Sequence, residues 1–583
     1  MMRFPDGCWH GDFEFQREDN RELPVPVCFT ALEIGTGHQI RLFGEELRRF
    51  REVPFPTGPG ACFVAYASGA EAACFAVLGW KFPANVIDPY AEHLLDLNGR
   101  PNRREHDAAL LSAVASHGLP ARHVEYKEAM RNMIRFQGIK ADRESALTYC
   151  MEDNEDARDL LHVMDTKGLI NWDQALWRGR YLFACGGHVE HNSIPIDVTA
   201  YEQIREAFPR LRHALIASSD TFGVFVNDHR NEARVAELIR STGLAWPLTI
   251  AGKFKMDDET WREMSRLYPP LEPLRKLMSL IDQLRNTKLA IGSDGRNRFW
   301  SRPLLSKTGR NQPSTSENLL GNAKWWRGLA SPPDGEALVE IDYSGQENAI
   351  AAGQSGDQPM RHAYETGDIH MATAIACGLA PPGATEETHS AERNRAKPLS
   401  HGANYGISAQ GISLKLGIPL REAAHLLRRY DQVHGRFRAW QRDTIDRAYL
   451  THRITAPLGW SMHVNLSVAR RTLLNWMMQS CGAEMLRAAV VLLIQEGFTV
   501  CATAHDSILF LMPLDDLEER VALAREVMEQ VSLTFTNGIL VRTKAKIVRP
   551  GERLLDRDTR PMWDQVASLA GINERTGTIL VTG

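Results

Sequence analysis

Two apolar stretches decide how this chain reads: ALVEIDYSGQENA at 337–349 and FTVCATAHDSILFLM at 498–512. Short β-rich runs bounded by Gly and polar residues are strand patterns. The first run closes on Asp342, and in the second two strands meet near His505-Asp506. An aspartate that ends a strand is ordinarily a turn former, so neither residue alone points to chemistry. As a pair they suit phosphoryl transfer, which needs carboxylates that bridge two divalent cations about 3.5–4 Å apart. Between the two stretches lie long helical patterns, among them LREAAHLLRRYDQVHGRFRAWQRDTIDRAYL at 420–450. The expectation is a sheet split by a helical insertion.

Working outward, Arg393, Lys397, His401 and Tyr405 are four residues apart. On a helix they line one face, cationic at one end and aromatic at the other. An exposed basic helix has the same spacing; the strand-borne aspartates tilt the reading toward a triphosphate grip. Pro398 removes a helical hydrogen bond and restricts Lys397, so this helix is expected to kink or to begin late. Upstream, residues 285–310 carry seven Lys and Arg (Arg285, Lys288, Arg296, Arg298, Arg302, Lys307, Arg310) against Asp294 alone. Such a run is either a solvated face or a track for a nucleic-acid backbone.

Near the N-terminus, Gly11-Asp12-Phe13-Glu14 places two carboxylates on one face of a short strand, because residues i and i+2 share a face. Tyr149 and Asp153 share one face of a helical pattern further on. The Asp12 and Glu14 pair can hold a metal ion. The run VPVCFTALEI, a Gly-Thr-Gly turn and HQIRLF across 25–43 read as paired strands. Helical patterns cover about 128–165 and 201–278, the latter interrupted at Pro269-Pro270.

These residues carry a resemblance. Asp342-Tyr343-Ser344 with Glu347 is similar to motif A of the family A DNA polymerases, the bacterial DNA polymerase I type, and His505-Asp506 is similar to their motif C. Arg393, Lys397, Tyr405 and Gly406 match motif B. Three further signatures follow in order: Thr308-Gly309-Arg310, Asp368-Ile369-His370 with Thr373, and Arg471, Asn475 and Gln479 spaced by four. The N-terminal DxE and YxxxD resemble the first and third motifs of DnaQ-like 3′→5′ proofreading exonucleases. Their middle carboxylate falls to Glu71 within Tyr66-Ala-Ser-Gly-Ala-Glu71, with Asp88 as second candidate.

The resemblance implies an α/β (α+β) chain: a ribonuclease H-like exonuclease domain over 1–170, a helical thumb and connector over 171–305, palm over 306–360, fingers over 361–455, and palm again over 456–583. It implies a template-directed DNA polymerase of bacteriophage-like type, with no 5′-nuclease segment ahead of residue 12. Two Mg2+ ions per active site, or Mn2+, would sit on Asp342 and Asp506 and on Asp12, Glu14 and Asp153. Lys397 would steady the leaving pyrophosphate. Arg393, His370, His401, Tyr405 and Glu347 would bind the incoming dNTP, and Tyr149 would orient the exonuclease water beside Glu71. Primer–template DNA would meet Arg296, Arg298, Lys307, Arg310, Arg471, Asn475, Gln479 and His505. Two departures stand out: His401 where relatives carry Phe or Tyr, and Ser507 where most carry Glu.

The rival readings are a single-subunit RNA polymerase, which shares His-Asp-Ser, an exonuclease with an inactive polymerase core, and a non-catalytic DNA-binding protein. Glu347, which resembles a gate against the ribose 2′-hydroxyl, argues against the first; intact Asp342 and Asp506 argue against the second.

At 583 residues the chain is long enough for several cooperating units. With 43% hydrophobic and 24% charged residues it matches ordinary globular proteins, and a net charge of −4 leaves room for a local basic track. Nine scattered cysteines without a CxxC pair point to reduced thiols. The longest aliphatic run, 488–494, is too short to span a bilayer, so a cytoplasmic monomer, with accessory replication proteins as further partners, is expected.

Overall fold

In the computed structural model, which describes residues 4–19, 21–101, 105–120, 122, 124–572 and 581–582, two five-stranded sheets organise the chain. The first has the order 39–43, 25–33, 8–16, 62–64, 86–87. Its first three strands are antiparallel, and the last two run parallel to Cys8–Gln16. Strand alternation sends Phe13 into an aromatic core with Phe29, Phe75 and Trp80. Asp12 and Glu14 therefore emerge on the other face.

That other face is covered by helix Arg143–Thr166, whose Ala146, Leu147, Tyr149 and Cys150 pack on Val27 and Cys28. The helix starts where Asp142 accepts the Ser145 N–H at 2.9 Å. The helical pattern expected from 128 to 165 is thus two helices, because helix Val124–Gln137 gives way at Gly138. Gly138 has φ 55°, and a Cβ there would collide with the Gln16 side chain. The pattern expected from 201 to 278 also divides further than the two prolines require. Helices Val198–Ser219, Glu232–Ser241, Asp258–Leu267 and Glu272–Asn286 are separated by a small hairpin and an irregular stretch. Asp220 sets the first break by accepting the N–H groups of Val224 and Phe225.

The second sheet has the order 499–504, 507–513, 336–343, 543–548, 581–582, all antiparallel. Helices 346–355 through 435–450 fall between Glu336–Tyr343 and its neighbour Ser507–Pro513 in sequence, so the sheet is split by a helical insertion as expected. Ala337, Val339 and Ile341 face a core closed by helices Arg470–Gln495 and Leu517–Phe535. Helix Arg470–Gln495 is long and apolar enough to cross a membrane by length and composition, but 78% of its apolar window is buried in this core. All nine cysteines are free thiols.

Candidate active site

Strands Thr499–Ala504 and Ser507–Pro513 are joined by the two-residue turn His505-Asp506, with Ala504 paired to Ser507. His505 adopts φ 56°, a left-handed conformation that His tolerates better than most residues. Across the sheet Ser507 pairs with Asp342, and the Tyr343 N–H donates to the Asp506 carbonyl at 3.3 Å. The two carboxyl groups are thereby brought into mutual contact. Burial pushes the Asp342 pKa up to about 7, with Asp506 and Glu340 adding repulsion and Lys544 opposing it. Lys544 stands directly opposite Asp342 on the next strand. A site that burial and like charge both strain toward protonation is one that a cation would relieve.

Glu340 was not legible in the sequence as part of this site. It lies two residues before Asp342, hence on the same strand face. The Ser507 hydroxyl donates to its Oε1 at 3.3 Å, and Arg327 pairs with the same oxygen at 3.1 Å. The carboxylate expected to be lost with Ser507 is thus matched by one from the adjacent strand.

Glu347 opens helix Gln346–Ser355, one turn beyond Asp342, and bonds to the phenol of Tyr405, whose pKa rises through burial and this bond. Tyr405 closes helix Ser390–Asn404. Its position is held from behind. Asn404 Nδ2 donates to Asn348 Oδ1 at 2.9 Å, Gln441 donates to the Ala403 and Asn404 carbonyls, and Arg438 donates to the Ala403 carbonyl. The helix runs unbroken past Pro398 from Ser390, so it does not begin late. Arg393 is drawn to Asp368 at 2.7 Å and Glu386 at 3.1 Å, and Lys397 is half-buried one turn on. His370 Nδ1 lies 2.8 Å from the Ser400 hydroxyl, with its ring 4.9 Å from that of exposed His401. Burial and His401 lower the His370 pKa to about 4, so the ring is neutral at pH 7.

The expected nucleic-acid track divides. Lys307 and Arg310 sit on a loop anchored by the Lys307 carbonyl, which accepts from Trp460, Trp476 and Asn98, and by the Gly309 carbonyl, which accepts from Arg487 at 2.6 Å. Lys307 is exposed, and the Arg310 charge acts on Tyr405. Arg471 is exposed, with Asn475 and Gln479 half-buried on successive turns of the same helix, and His505 is exposed at its turn. Arg298 corrects the reading: it is 3% exposed, paired with Asp294 at 2.6 Å, and donates to the Arg21, Glu190 and His191 carbonyls. Arg296 is half-buried and donates to the Asn192 carbonyl at 2.6 Å. Arg298 thus ties the connector to the N-terminal segment at Arg21, whereas Arg296 bonds within the connector itself.

At the first sheet, ligand oxygens of Asp12, Glu14 and Asp153 lie within 4.8 Å of one another. They open into a cleft of about 610 Å3 that Tyr149, Arg131 and Trp300 also line. Burial pushes Asp12 up to about 8, with Asp153 adding to it, and pushes Glu14 well above the carboxylate range. Two cations without a local sequence signal lie here. Lys127, 3% exposed, pairs with Asp153, and Arg131 bonds to Tyr149 from one turn along the same helix.

Asp88 is not part of this cluster. Its carboxylate accepts the N–H groups of Ala67, Ser68 and Tyr90, capping helix Pro89–Leu97 and fixing the loop ahead of helix Gly69–Leu78. Glu71 lies outside the three-carboxylate group too, yet it is 4% exposed, its pKa is raised by burial and by Asp12, and its Oε2 has no hydrogen-bond partner among the described residues. Asp88→Ala should therefore lower stability by about 1–3 kcal/mol, the usual cost of orphaned buried donors, as read by thermal unfolding. Glu71→Gln should leave the melting temperature nearly unchanged or raised.

Residues 321–547 match the sequence model of DNA polymerase family A. A thermostable DNA polymerase I of Thermus thermophilus is 32% identical over 213 residues, covering 34% of this chain and 25% of its own. DNA polymerase I of Bacillus subtilis is 30% identical over 248 residues, covering 39% and 28% respectively. The chain thus matches only about a quarter of the length of these relatives. A solved structure of the POL domain of Pol1 from M. smegmatis, in complex with DNA primer-template and dNTP, shares the fold over 96% of both chains, with a TM-score of 0.69 and 19% identity. Asp342, Glu347, Lys397, Tyr405 and Asp506 all fall inside the segment 321–547 that is similar to DNA polymerase family A.

Proposed function

We propose that this chain is a template-directed DNA polymerase that adds deoxynucleotides to a primer 3′ end and removes mispaired ends at its N-terminal carboxylate site. The observation that carries the reading is the Glu347–Tyr405 bond standing beside the Asp342–Asp506 pair. The donors at both carboxylate clusters are oxygen only, which suits Mg2+ or Mn2+. Held by Asp342 and Asp506, such ions would activate the primer hydroxyl and offset charge on the leaving oxygen.

The chain's own residues then have distinct tasks. Lys397 and Arg393 meet the triphosphate, the latter after exchanging Asp368 or Glu386 for phosphate oxygens. Tyr405 offers its ring to the nascent base pair while its hydroxyl holds Glu347. Lys307, Arg310 and Arg471 follow the nucleic-acid backbone. The M. smegmatis POL domain, solved with DNA primer-template and dNTP, supports the same ligands here. An RNA polymerase would need the space that Glu347 fills, and the presence of both Asp342 and Asp506 argues against an inactive core. Extension of a primed template by a single dNTP or rNTP separates these readings. Extension with dNTP alone is the expected result, and equal use of both would overturn it.

Two further outcomes follow from the geometry. Replacing Asp12 and Glu14 together by Ala should abolish degradation of a mismatched 3′ end and spare extension, since the sites lie on different sheets. Undiminished digestion by the purified variant would remove the nuclease from this cluster. Lys307→Glu and Arg471→Glu should weaken primer–template binding and flatten its salt dependence by about one counterion per lost phosphate contact. Arg298→Ala should instead lower thermal stability and leave the salt slope alone, because its partners are internal.

A further inference from the structure

Apart from both carboxylate centres, helix Pro89–Leu97 presents His93 and Asp96 one turn apart, facing His117 just beyond helix Leu110–Ser116. A ligand atom from each of the three lies within 4.8 Å of the others. His93 and His117 are 1% and 8% exposed, and Asp96 is half-buried. His93 Nδ1 and His117 Nε2 stand 3.2 Å apart. Two ligand nitrogens on one tetrahedral ion are separated by about that distance, because metal–nitrogen bonds are about 2.0–2.1 Å long.

The tautomer of His93 is set by its other nitrogen. Nε2 is 3.0 Å from the Asp107 carbonyl, which can only accept, so Nε2 carries the proton and Nδ1 presents its lone pair toward His117. A ring N–H given to a backbone carbonyl is the usual outer support of a metal-binding imidazole. Asp96 Oδ1 accepts from Arg100 at 2.6 Å, but a carboxylate has about four lone-pair sites, so that bond does not exhaust it. Lys167 spends its ammonium on the His117 carbonyl at 2.8 Å, away from the ring nitrogens.

We propose that His93, Asp96 and His117 form a binding site for a divalent transition metal of the zinc type. Two imidazoles with a carboxylate favour such an ion over Mg2+, which prefers oxygen throughout. The site sits where the two halves of the chain join. The main-chain carbonyl of Asp96 lies 3.1 Å from His463 Nε2, the next residues bring Asn98, and Asn98 Nδ2 donates to the Lys307 and Ser461 carbonyls at 2.8 Å each. A metal on Asp96 would stiffen the helix end from which the loop bearing Lys307 is held.

Co2+ titration of the full chain in excess Mg2+ tests this, since on the proposed function Mg2+ would fill the oxygen-only centres, and tetrahedral Co2+ absorbs visibly. The parent should develop that absorption with a single tight equivalent, Zn2+ should displace it, and Zn2+ should raise the melting temperature. His117→Ala and His93→Gln should each weaken Co2+ binding by at least about 100-fold. If the parent shows no such absorption and no Zn2+-dependent rise in melting temperature, the imidazoles form a simple hydrogen-bonded pair and the proposal falls. It falls equally if a folded His117→Ala variant binds Co2+ as the parent does.

Discussion

Glu347→Ala is expected to use ribonucleotides better than the parent by orders of magnitude. Glu347 leads the helix that follows Asp342, and its carboxylate is fixed by the Tyr405 hydroxyl. A ribose 2′-hydroxyl arriving there would clash or would displace a carboxylate from its partner in a closed site. Either costs several kcal/mol, and each 1.4 kcal/mol is about tenfold in selectivity. The support behind Tyr405 matters as well: Asn348, Asn404, Gln441 and Arg438 leave the helix end little freedom to yield. The check is the ratio of kcat/KM for dNTP over rNTP in parent and variant. Some loss of dNTP rate is expected too, because Tyr405 loses its bond. A ratio that stays high in the variant would make Glu347 a packing residue and move discrimination to another side chain, His401 first.

Asp506→Ala is expected to lower primer extension by about a thousandfold or more while leaving primer–template affinity within a few fold. The scale follows from several kcal/mol of lost charge stabilisation in the transition state. Binding should survive because the cations on the DNA track, Lys307, Arg310 and Arg471, lie on other elements. Removal of Asp506 also takes away one source of repulsion on Asp342, whose pKa should fall from about 7, although burial, the larger cause, remains. Single-turnover extension and a fluorescence-anisotropy titration on one primer–template separate the two effects. Substantial residual extension would move the metal ligand elsewhere on the sheet, with Glu340, already bonded to Ser507, as the first residue to examine.

What the sequence determined by itself was whatever depends on local period. Alternation put Asp12 with Glu14 on one strand face and Asp342 at a strand end; four-residue spacing put Arg393, Lys397, His401 and Tyr405 along one helix; and the ordered signatures pointed to the polymerase family whose sequence model 321–547 matches. Contacts between distant segments could not be read in that way. Glu340 and Ser507 are 167 residues apart and meet only through strand register, so the exchange of carboxylate between neighbouring strands stayed hidden. Glu71 stood first and Asp88 second for the middle carboxylate; backbone donors folded around Asp88 made it a cap, whereas Glu71 was left buried with an orphaned oxygen. Arg298 read as one more cation in a basic run until packing turned it inward onto Asp294 and three carbonyls. Lys127 and His93 carried no local signal at all. Periodicity reports which face a side chain takes on its own element, but the partner that decides its charge, its proton and its task comes from another element, and only tertiary packing chooses that partner.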